Sequence, residues 1–159
     1  MMMKKQWVLA VAVSLGAIGA PLAAPAAGDE DTGGTEETRS GYERAVRLVE
    51  AADYEDALEI LEALNRSEPG NADVLNMLGY AHRKLGRVEA AFGHYREALA
   101  IEPRHLGANE YLGELYLETG ELEMAEKHLA ELAIACPSGC EERDELSEAI
   151  AAYKEAHGL

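Results

Sequence analysis

The sequence predicts an all-α fold: three helix-turn-helix repeats stacked on one another and closed by one further helix. Three observations carry that expectation. Pro69, Pro103 and Pro137 follow one another at intervals of 34 and 34 residues. Other positions keep the same step: Ala57, Ala91 and Ala125; Ala45, Gly79 and Gly113; Leu61, Tyr95 and Leu129; Leu64, Ala98 and Leu132. Within each copy, apolar residues recur at helical spacing in two segments of roughly 12 to 14 residues.

Residues 1–26 come first. Lys4 and Lys5 form a basic start, Trp7 to Ala20 an apolar run of 14 residues, and a small-residue tail follows. That is the layout of a secretory signal peptide, and the run is shorter than the ~20 apolar residues of a membrane span. Cleavage is expected after Ala26, with an uncleaved amino-terminal anchor as the alternative. The protein is then expected to be exported, to the periplasm of a Gram-negative bacterium, with no membrane insertion after cleavage. Loss of 1–26 takes Lys4 and Lys5 from the 14 basic residues and leaves 133 residues with a formal charge of −18. Such a chain repels phosphate backbones and anionic lipid, so nucleic acid is not expected as a partner. Residues 27–37 belong to a stretch, Gly28 to Gly41, with high acidity and no aliphatic side chain, and read as a disordered acidic linker.

The repeats occupy 38–71, 72–105 and 106–139. In the second, Val74, Leu75, Leu78, Ala81, His82 and Leu85 share one helical face, and Gly86 stands where a helix end favours a left-handed residue. Val88, Ala91, Phe92, Tyr95, Ala98 and Leu99 give the second face, and Pro103 cannot continue that helix. Gly79 with Ala91 forms a small pair on facing helices, repeated as Ala45 with Ala57 and Gly113 with Ala125. Small side chains there let two helices approach closely. The first copy departs most from the pattern, with Arg44 in place of leucine and Ala52 in place of glycine. One hairpin cannot bury its apolar face alone, so the array needs a cover. Residues 140–157 supply one: Leu146, Ile150 and Tyr153 make an apolar stripe on an otherwise charged helix.

These co-registered positions resemble the tetratricopeptide repeat, a 34-residue helical hairpin, over Thr38 to Gly139. The resemblance implies a right-handed superhelical stack of three repeats plus a C-terminal capping helix. It also implies a non-catalytic module that binds a peptide or partner helix on a concave wall lined by the first helices. By register that wall carries Tyr42, Val46 and Val49, then Asn76, Tyr80, Arg83 and Lys84, then Glu110, Glu114 and Leu117. The clamp that grips two carboxylates in chaperone-binding relatives wants several basic and amide side chains, and only Asn76, Arg83 and Lys84 are present. A short basic or mixed segment of an envelope protein fits this wall better.

The two cysteines, Cys136 and Cys140, flank the joint between array and cap. Export and an even count favour a structural disulfide, whose small ring contributes about 2 kcal/mol through chain entropy. A redox pair and a copper or zinc site are the alternatives, and they define the competing function: a redox or copper-handling accessory factor. Against them stand a C-x-x-x-C spacing and the lack of further ligands near in sequence. Ser138-Gly139-Cys140-Glu141 has the form of a capping box for the last helix, with Cys140 in its first turn.

Nothing else in the chain argues for an enzyme. Ser40, Ser67, Ser138 and Ser147 have no nucleophile-elbow context, and no phosphate-binding Gly-Lys-Ser/Thr run occurs. His94 and His128 share a register position and read as residues on the outer surface of second helices. No cofactor, metal or catalytic residue is expected.

Overall fold

The computed structural model describes residues 36–159. The expected signal segment and most of the expected linker lie outside the described residues. Among the described residues there are seven helices and no strand: α1 (Glu36–Glu50), α2 (Tyr54–Ser67), α3 (Ala72–Lys84), α4 (Val88–Ile101), α5 (Leu106–Glu118), α6 (Leu122–Ala135) and α7 (Glu141–His157). Successive pairs form three hairpins, and α7 packs on α5 and α6 to close the last one. Glu36 and Glu37, placed in the linker by composition, form the first turn of α1, where acidic side chains complement the helix dipole.

Each hairpin turns through one left-handed residue: Ala52 (φ 62°), Gly86 (φ 72°) and Gly120 (φ 85°). The same two bonds close each turn. Asp53 N donates to Leu48 O, Arg87 N to His82 O and Glu121 N to Tyr116 O. Inside them run Ala52 N to Val49 O, Gly86 N to Arg83 O and Gly120 N to Leu117 O. This is the Schellman ending of a helix, in which residues past the last turn satisfy otherwise orphaned carbonyls. Two of the first helices are capped by side chains: Asn71 Oδ1 accepts from Val74 N at 3.1 Å, and His105 Nδ1 accepts from Ala108 N at 3.1 Å.

The core is continuous in kind along the stack. Ala45, Leu58, Leu61, Leu75 and Leu78 fill its first part; Tyr95, Leu112, Leu115, Leu132, Leu146 and Ile150 fill its second. Leu146 is wholly buried. The small-residue positions work differently from the expected pairs. A Cβ on Gly79 would stand 2.6 Å from the Tyr95 ring, and one on Gly113 would stand 2.6 Å from Leu146 Cδ2. The room left by each glycine is therefore filled by a large side chain of another helix, in the case of Gly113 one that belongs to the cap.

The expected capping box does not form. Cys140, not Ser138, is the N-cap of α7, and it makes no side-chain cap bond. Gly139 (φ 101°) completes the turn after Pro137, and the helix ladder starts with Asp144 N donating to Cys140 O. Ser138 thus sits two residues too early to reach the helix. The Cys136 and Cys140 sulfurs lie 2.08 Å apart, at disulfide distance.

Candidate partner-binding surface

The face lined by α1, α3 and α5 is partly sealed by its own residues. Along it Tyr42, Val46, Tyr80 and Glu114 are half-buried and Lys84 is exposed. Val49, Asn76, Glu110 and Leu117 are buried in the seams between helices. Burial, followed by the nearby Asp73 carboxylate, pushes the Tyr42 hydroxyl up to about 12.

The two basic residues of the wall are engaged within the chain. Arg83 has a side chain only 9% exposed and reaches across to α5: Nη1 donates to Glu114 Oε2 at 2.6 Å, and Nε donates to Glu118 Oε1 at 3.0 Å. Burial works against its charge, but the bonds to Glu118 and Glu114 outweigh that and hold the guanidinium protonated beyond its usual range. The Lys84 ammonium lies 5.0 Å from the centroid of the Tyr80 ring, within cation–π range. Neither is a free donor for a ligand carboxylate. Sequence reasoning missed Glu118. It lies 35 residues beyond Arg83, one repeat plus one position, so a search at the repeat length offset by one residue would have found it.

Tyr80 is the middle of an aromatic run. Its ring centroid is 6.5 Å from that of Tyr54 and 4.9 Å from that of Tyr111, and Tyr111 is 6.3 Å from the buried Tyr95. Burial first, and then the Glu110 carboxyl, raise the Tyr111 hydroxyl well above the ordinary phenol range. Tyr54 and Tyr111 were not among the expected wall residues; Tyr111 adjoins Glu110 on α5, whereas Tyr54 begins the second helix α2.

The α5 end is acidic. Glu110 is 3% exposed, and Glu145 of α7 lies beside it. Burial, then the Glu145 carboxyl and the charges of Glu114 and Glu142, hold its proton far above the usual carboxylate range. Farther along the seam between α5 and α7, Leu117, Ala149 and Tyr153 floor an open depression of about 340 Å³, with Arg83, Glu114 and Glu118 at its edge.

His82, His94 and His128 prove to be packing groups, half-buried within their own hairpins. His94 stacks on His82 with centroids 5.2 Å apart. His128 stacks on Tyr116 at 5.6 Å, and its Nδ1 is 2.9 Å from Asn109 Oδ1. Among the described residues no group of three or more His, Cys, Asp or Glu side chains could hold a metal ion. No helix of the described residues is long and apolar enough to cross a membrane.

Sequence profiles of the tetratricopeptide repeat match residues 42–105 and 84–135, which together span most of the three hairpins. This chain belongs to the tetratricopeptide repeat family. No curated protein matches it in sequence. Solved structures share its fold at low identity. The Yersinia enterocolitica type III secretion chaperone SycD, in complex with a peptide of the translocator YopD, is 22% identical with a TM-score of 0.65, over 77% of this chain and 93% of that one. PcrH in complex with the chaperone binding region of PopD is 20% identical with a TM-score of 0.65, over 79% and 96%. The Sgt2 tetratricopeptide domain from Aspergillus fumigatus is 17% identical with a TM-score of 0.69, over 78% and 81%.

Proposed function

We propose that this tetratricopeptide protein is a non-catalytic adaptor of the cell envelope that binds a peptide or partner helix on the face lined by α1, α3 and α5. The observation that carries the reading is the half-buried tyrosine run at the centre of that face. Tyrosines held by packing on one side and open on the other combine large apolar contact with a polar tip, the combination that dominates interface energetics. The SycD and PcrH structures, each solved with a segment of a translocator, support the reading by showing what this fold accommodates in those proteins. Export, with cleavage near Ala26, belongs to the same proposal and rests on the amino-terminal residues alone. Cys136 and Cys140 then act as a static staple that holds the start of α7 to the end of α6.

Affinity capture from envelope extract tests this. Tyr80→Ala is expected to weaken capture by about 1–3 kcal/mol while helicity is retained. Undiminished capture by Tyr80→Ala would remove this face as the binding site.

A further inference from the structure

The two ends of the stack differ. At the carboxy-terminal end α7 covers the last hairpin, with Leu146 in the space beside Gly113. At the other end, among the described residues, no element packs on the outer side of α1 and α2. A cleft of about 450 Å³ lies open there between the two helices. Half-buried Ile60 and buried Leu64 of α2 form its apolar floor, and Glu37, Ser40, Gly41 and Arg44 of α1 line its other side.

The 34-residue step shows what this side of a hairpin is shaped to receive. Gly41 and Arg44 match Leu75 and Leu78 of the second hairpin. Both leucines are buried, in one cluster with Leu58, Leu61 and Leu64 of the helix before them. In an internal hairpin this side therefore packs against a helix. In the first hairpin it has lost bulk at Gly41 and gained a charge at Arg44. A helix docked here covers the Arg44 guanidinium, which is costly unless that helix brings a carboxylate. The same holds, with the sign reversed, for Glu37.

α1 itself carries that pattern. Glu37 and Arg44 are exposed and stand seven residues apart, about 10 Å along the helix. Neither has an ion-pair partner among the described residues. Ser40 and Gly41 lie midway between them. A two-fold axis through that midpoint sets Glu37 opposite Arg44 of a second copy, and Arg44 opposite its Glu37. The small side chains at the midpoint let two helices approach closely. This is the self-complementarity that an isologous contact demands.

We propose that the open end of the stack is a self-association surface, on which a second copy of this chain lays its α1 antiparallel to α1, with two reciprocal Glu37–Arg44 pairs about Ser40 and Gly41 and the floor of Ile60 and Leu64 beneath. A contact of one helix face is small, so the dimer is a weak one. Tyr42 and Val46 project from the opposite side of α1 by the helical period. Each copy thus keeps its concave face, and failure of this contact leaves the concave-face reading untouched.

Sedimentation equilibrium on the full mature chain tests this over about 1 μM to 1 mM. A monomer–dimer equilibrium is expected within that range. Glu37→Arg and Arg44→Glu should each weaken it at least about tenfold, because like charges then face one another across the axis. Mixed in equal amounts, the two variants should form a heterodimer, since every facing pair is then opposite in sign. The double variant Glu37→Arg/Arg44→Glu should associate with itself as the parent does. Both positions are exposed, so the helicity of all three variants should match that of the parent. Single variants that dimerise undiminished, or a mixture that stays monomeric, would overturn the inference. So would a parent that is monomeric throughout the range, an outcome that assigns the cleft to the chain upstream of α1 or to another protein.

Discussion

Ala52 shows how a single residue departs from its own repeat. It holds φ at 62° where the two later hairpins use Gly86 and Gly120. The left-handed region costs a residue with a Cβ about 1–2 kcal/mol, and glycine's greater freedom in the unfolded chain takes back about 0.4–1. Ala52→Gly is therefore expected to raise stability, by up to about 1 kcal/mol in chemical denaturation; a lower midpoint would contradict the account of the turn. The substitution was visible in the sequence, because the register places it against two glycines. The histidine stack was not, because His82 and His94 meet through the hairpin and not through the repeat. Burial lowers both imidazoles; His94 and Arg87 lower His82 further while Glu62 and Glu55 oppose, and Glu97 and Glu62 oppose the shift at His94. Groups lowered in this way stay neutral in the fold but take up protons when unfolded. Their contribution is present above about pH 6.5 and is lost as pH falls through the lowered values. His94→Phe keeps a stacked ring without a titrating group, so its stability should fall less steeply between about pH 6.5 and 5 than that of the parent. An unchanged slope would show that the stack does not govern acid stability.

Among the elements, α7 bears most on the integrity of the array. Its stripe of Leu146, Ile150 and Tyr153 could be read from intervals of four and three, and the first two are buried as a cap requires. Its start could not be read so well. The capping-box pattern pointed to Ser138, but the turn through Gly139 delivers Cys140 to the N-cap position instead. A local motif was overridden by the geometry of the joint. Leu146 fills the space that Gly113 leaves open. Leu146→Asp should place an unpaired carboxylate there and expose the last apolar face, lowering stability by several kcal/mol. A melting temperature that hardly moves would mean that α7 is not a structural part of the stack.

At the scale of the whole molecule, the 34-residue step was enough to reveal the hairpins, because turn, small-residue and core positions all obey it. The candidate surface was less legible. Its residues could be placed on the right helices by register, but their engagements depend on contacts that cross repeats at other spacings: Arg83 with Glu114 and Glu118, Glu110 with Glu145, Tyr80 with Tyr54 and Tyr111. Those contacts engage Arg83, one of the few basic residues the register places on the wall, and leave half-buried tyrosines at its centre. The formal charge of −16 then acts on encounter more than on fit, since it is spread over the convex helices as well. The central claim is that partners sit on the face of α1, α3 and α5. Site-specific photo-cross-linking addresses it most directly, with a photoreactive residue introduced at Val46 or Lys84 on that face and at Glu97 or Glu131 on second helices. Cross-links to the captured partner from Val46 and Lys84, and none from Glu97 and Glu131, are what this account predicts; cross-links only from the second helices would contradict it.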